Sequence, residues 1–79
     1  MKAPGDQYTL DEALVIVAAD DYKKALIRVK HHPDDREARL VCRRLERYFR
    51  GPAFEEITNL DPEYLITRMR RWVREDDRL

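Results

Sequence analysis

An all-α single domain is what this sequence predicts, and three observations carry the prediction. Apolar residues recur at three- and four-residue steps over long segments. The few glycines and prolines, 2 and 4 in number, sit where those segments end. No stretch carries the alternating pattern of a half-buried strand. The expected architecture is an antiparallel helical hairpin, a short corner helix and a C-terminal helix, giving three main helices. It occupies residues 9–79 behind a flexible N-terminal arm at 1–8.

Thr9-Leu10-Asp11-Glu12 fits a capping box, in which the threonine hydroxyl caps the first turn and Glu12 reaches back to the Thr9 amide. From there Leu10, Leu14, Ala18, Tyr22, Ala25 and Val29, with Leu26 beside them, make one drifting apolar stripe on a helix running to about His31. Asp20 and Asp21 interrupt the stripe. They either lie within one continuous helix, the preferred reading, or end one helix and cap another. His31-His32-Pro33 ends the helix, because the residue before a proline is pushed out of the α region. Pro33 suits the first turn of a second helix, with Asp34 and Asp35 at its positive N-terminal end.

Ala38, Val41, Cys42, Leu45, Tyr48 and Phe49 have the spacing of a buried helix face, and Gly51-Pro52 stops that helix after Arg50. Pro52 to Ile57 reads as one or two helical turns presenting Phe54 and Ile57. Asp61-Pro62-Glu63 starts the last helix with a cap, a proline in the first position and an acid in the first turn. Leu60 and Leu65 are placed as a hydrophobic staple across it. Leu65, Ile66, Met69, Trp72 and Val73 form its apolar face, and it frays at Glu75-Asp76-Asp77.

Seventy-nine residues hold one core and bury a modest fraction of the chain, so such a domain is marginal without a further source of contacts. Cys42 is the single cysteine, which excludes an internal disulfide and makes a reducing cytoplasm the expected compartment. No Cys/His quartet offers structural zinc. Partner contact is therefore the expected supplement. Charged residues make up 41% of the chain and hydrophobic ones 43%, with net charge +0; the apolar periodicity favours folding over disorder. The longest apolar run, Ala13 to Ala19, is too short to cross a bilayer, and no signal peptide is expected.

Candidate chemistry is sparse. His31 and His32 are adjacent, and adjacent helical positions diverge by roughly 100°, whereas a metal pair wants histidines one turn apart. Cys42 lies on the apolar stripe and reads as a core residue rather than a nucleophile. Asp20 with Asp21, and Glu55 with Glu56, are consecutive acids that do not face each other. Capping or ion pairing with arginines of the second helix accounts for the aspartates. Residues 52–74 resemble a helix-turn-helix only weakly, since Asp61, Pro62 and Glu63 would occupy the base-reading end. No catalytic residue, cofactor, metal or small-molecule substrate is expected.

Two surface patterns remain. Arg36, Arg39, Arg43, Arg47 and Arg50 fall within a band of roughly 80° opposite the apolar face of the second helix. Residues 22–50 hold ten basic against four acidic residues, so a neutral chain carries a basic face able to contact nucleic acid or an acidic partner. The competing reading is a solvated face supported by the i, i+4 pairs Glu46–Arg50 and Asp35–Arg39. Ile16 and Ile27 share an angular position off the main stripe, and Leu40 lies within the arginine band. These three are candidates for self-association.

From Tyr22 onward the chain resembles a group of small helical proteins encoded by bacterial prophages and other mobile elements. The resemblance rests on Tyr22-Lys23-Lys24-Ala25-Leu26, His32-Pro33, Cys42 and Glu46-Arg47-Tyr48-Phe49-Arg50. It continues through Phe54, Thr58-Asn59-Leu60-Asp61 and Glu63-Tyr64-Leu65-Ile66. Gly51-Pro52 and Asp61-Pro62 depart from that pattern. The motif is one of packing and capping, so the likeness implies a genomic setting and no mechanism. The expected function is a non-enzymatic, self-associating accessory or regulatory protein of the cytoplasm. The alternative is a nucleic-acid-binding protein using the arginine stripe.

Overall fold

The core includes Tyr22, which is fully buried in a cluster with residues from all the other helices. The structure, a computed structural model, describes residues 10–79, with only the backbone of Asp11. The expected arm at 1–8 and the Thr9 cap lie outside the described residues. Four helices follow in order: α1 (Leu10–His31), α2 (Arg36–Phe49), α3 (Pro52–Ile57) and α4 (Pro62–Glu75). Among the described residues there is no strand, and no helix is long and apolar enough to cross a membrane. The fold is all-α.

α1 runs unbroken through Asp20 and Asp21, both exposed, and Asp20 pairs with Lys24 one turn on at 2.9 Å. Its packed side comprises Val15, Ala18, Ala19, Tyr22, Ala25, Leu26 and Val29. Leu10 and Leu14, expected at the head of this stripe, are instead 78% and 50% exposed. Two physical reasons account for the difference. At about 100° per residue, positions 10 and 14 sit roughly 80–120° around the helix from Tyr22. α1 also has 22 residues against 14 in each of α2 and α4, and both are tied to its C-terminal half, so its first turns overhang them.

α2 is antiparallel to α1. Ala25 and Ala38, both nearly fully buried, put only methyl groups on the facing sides of the hairpin. Pro33 does not open α2 as expected. It occupies the second position of a turn in which the Asp35 amide donates to the His32 carbonyl at 2.9 Å, a position for which its fixed φ is suited. Asp35 is the N-cap and accepts from the Ala38 amide at 3.0 Å.

At the other end of α2, Phe49 meets the Tyr22 ring edge-on at 5.5 Å and the Phe54 ring of α3 at 5.3 Å, while Tyr48 lies 5.9 Å from Phe54. Gly51 is extended rather than left-handed, and it caps α3 while its amide donates to the Tyr48 carbonyl. A Cβ there would lie 3.3 Å from the Arg47 carbonyl oxygen, so glycine is what lets the chain turn this closely. α4 starts at its Asp61 cap, runs parallel to α1 and antiparallel to α2, and buries Ile66, Met69 and Val73.

Trp72, expected on that apolar face, is 46% exposed and lies under the Lys23 ammonium at 4.3 Å. α4 ends on α1: the Lys30 ammonium donates to the carbonyls of Val73 and Asp76 at 2.9 and 2.8 Å. A cation at the negative end of a helix is favourable there, and it satisfies the Val73 carbonyl, whereas the Asp76 carbonyl also accepts from the Leu79 amide at 3.1 Å.

Candidate functional site

Among the described residues the fully buried side chains are hydrophobic, and polar groups enter the interior only at its margin. Its polar feature is a chain of three groups: the Tyr22 hydroxyl donates to Glu46 Oε2 at 2.6 Å, and Arg70 donates to the same oxygen at 2.8 Å. Burial, reinforced by the Glu46 carboxylate, pushes the Tyr22 hydroxyl far above the ordinary tyrosine range. Burial likewise raises the Cys42 thiol, again with Glu46 adding to the shift, which leaves it a poor nucleophile. Tyr22, Glu46 and Arg70 are spent on one another. Among the described residues no buried side-chain polar atom lacks a partner, and no three metal-ligating side chains cluster. His31 is turned to the chain end, its Nε2 lying 3.0 Å from the Leu79 carbonyl oxygen.

On the exterior two faces stand out. The first is the overhanging start of α1. Leu10, Leu14 and Val17 follow four- and three-residue steps on one side, and Val17 is 56% exposed. Ile16, 46% exposed, lies a short way around the helix in an open groove with Val15, Ile57 and Thr58. Of the residues expected to mediate association, Ile16 and Leu40 are exposed whereas Ile27 is half-buried. The three are not brought together, because Leu40 stands on the outer side of α2. Leu10, Leu14 and Val17 were missed as surface residues because periodicity alone assigned the first two to the core.

The second face is α2. Arg36, Arg39, Arg43, Arg47 and Arg50 are all exposed, on the side opposite Ala38, Cys42 and Phe49. Neither expected intrahelical pair forms. Asp35 pairs with Arg28 at 2.7 Å, Glu46 with Arg70, and Arg50 with Glu63 through two bonds of 2.5 and 2.9 Å. The physical reason is reach: Asp35 is turned to cap its own helix, and Glu46 points inward to Tyr22. Arg36, Arg39, Arg43 and Arg47 are left without an acidic partner among the described residues. The first three line a shallow groove with Leu40.

Compared with known proteins, the chain matches no family model, no curated protein and no solved structure. The class defined by fold and surface is a small all-α protein whose polar interior is internally satisfied.

Proposed function

We propose that this chain is a non-catalytic helical interaction module that self-associates through the start of α1, serving as an accessory or regulatory protein. The observation that carries the reading is the line of Leu10, Leu14 and Val17, each at least half exposed on a domain with little core to spare. Burying an apolar side chain of this size is worth roughly 1.5–3 kcal/mol when complete, and a symmetric pair doubles the number buried. A second copy is the partner the surface itself supplies. An apolar strip is self-complementary across a two-fold axis, and a net charge of +0 imposes no long-range repulsion between copies. The resemblance in sequence to prophage-encoded proteins supports a phage or mobile-element setting, and the lone buried cysteine suits a reducing cytoplasm.

Light scattering coupled to sizing tests this reading. Wild-type protein should show a mass above that of one chain, rising with concentration. The Leu14→Lys, Val17→Lys double variant should stay at one chain while keeping its helical spectrum, because both positions are exposed. A wild-type protein that remains a single chain at high micromolar concentration refutes the proposal.

A further inference from the structure

We propose that the outer face of α2 docks the phosphodiester backbone of double-stranded nucleic acid. The first ground is how the acids are distributed. Asp20, Asp35, Glu46, Glu63 and Asp76 are engaged by Lys24, Arg28, Arg70, Arg50 and Arg78, each within 3.2 Å. That pairing leaves Arg36, Arg39, Arg43 and Arg47 in a row on α2 with no counter-charge among the described residues, and Arg44 on the flank in the same condition. Glu46, beside the row on the same helix, is engaged by Arg70 and Tyr22, and the other acids nearby are Glu37, well around from the row, and Asp34 before the helix starts. Like charges one turn apart weaken a helix.

The second ground is shape. Arg36 to Arg47 spans eleven residues, or about 16 Å along the helix, with the arginine positions about one turn apart and a shallow groove among the first three. A protein partner would need an apolar centre to the interface, and this face offers Leu40 alone. A phosphate backbone needs no such centre. It asks for a line of cations, and the planar fork of arginine suits phosphate oxygens. The major groove of a duplex, about 12 Å wide, admits the edge of a helix.

A labelled short duplex, titrated with the full chain by fluorescence anisotropy over a range of salt concentrations, gives the test. Binding should appear at low salt and weaken as salt rises, with a log–log slope of about −3 to −4 for four phosphates engaged. The Arg43→Gln, Arg47→Gln variant should reduce that slope by about two and weaken low-salt binding by at least about tenfold. Arg71→Gln removes an unpaired exposed arginine of α4 and should leave both unchanged. No retention of the duplex at low salt overturns the proposal, as does equal weakening by the α4 variant. Tighter binding of the corresponding single strand, or of a polyglutamate peptide, overturns the assignment to duplex backbone.

Discussion

Replacing Glu46 by leucine and Tyr22 by phenylalanine, singly and together, probes the buried polar link between α1, α2 and α4. In the wild type the Tyr22 hydroxyl has no access to water and Glu46 as its acceptor at 2.6 Å. Tyr22→Phe removes one hydrogen bond to a charged group, but Glu46 keeps its bond to Arg70, so the loss should be about 1–2 kcal/mol. Glu46→Leu fills most of the same volume and leaves the buried hydroxyl with the Arg70 guanidinium as its only polar neighbour, which costs about 1–3 kcal/mol. The half-exposed Arg70 adds less than about 1 kcal/mol, because water replaces its partner. In the Glu46→Leu background the phenylalanine no longer breaks the bond to a carboxylate and removes a hydroxyl whose donated hydrogen has lost its acceptor. Tyr22→Phe should therefore cost markedly less there than in the wild type. Chemical denaturation followed by circular dichroism measures all four corners, with about 1 kcal/mol corresponding to some 4–8 °C in Tm. If Tyr22→Phe costs the same in both backgrounds, the hydroxyl is not held by Glu46 and the reasoning fails.

Lys30→Met should destabilise the protein by about 1 kcal/mol and raise hydrogen exchange selectively in the last turn of α4, because the Val73 carbonyl loses its donor while the Asp76 carbonyl keeps only the Leu79 amide; unchanged exchange there contradicts the capping role. Acid should destabilise the fold as pH falls below about 4, because three carboxyls are held low in the folded state. The Ala38 amide does this for Asp35, the Arg50 guanidinium for Glu63, and the Arg78 guanidinium for Asp76, which sits at about 2. Stability from such groups is complete above their unfolded pKa values and is lost on protonation, so thermal unfolding at a series of pH values should show Asp76→Asn flattening part of the fall between about 4 and 2. An identical acid limb in the variant contradicts the pairing with Arg78.

Helix existence and order were legible because caps, prolines and apolar periodicity are local signals. Asp61-Pro62 opens α4 as expected, and Ala38, Cys42 and Phe49 face inward from α2. What escaped is set by distant geometry. Whether Leu10 and Leu14 are core or surface depends on where α2 and α4 stop, and nothing near those residues encodes it. The i, i+4 rule proposed Glu46–Arg50 and Asp35–Arg39, yet each acid found a use across the fold or in its own cap, which a local rule cannot weigh. Trp72 has the spacing of a core residue, but its ring ends at the rim beneath Lys23. The arginine row was visible from spacing alone. Its lack of counter-charge became apparent only once the tertiary ion pairs were in place.

Residue-resolved hydrogen exchange at low and at high protein concentration reaches the central claim most directly, namely that packing consumes the inner helix faces and leaves the start of α1 open to a second chain. Amides in 18–30, 38–49 and 66–73 should share the highest protection at both concentrations, while those in 14–17 should exchange quickly when dilute and gain protection as the protein is concentrated. Equal protection of the first turns of α1 at every concentration, or a gain confined to another helix, would contradict the account.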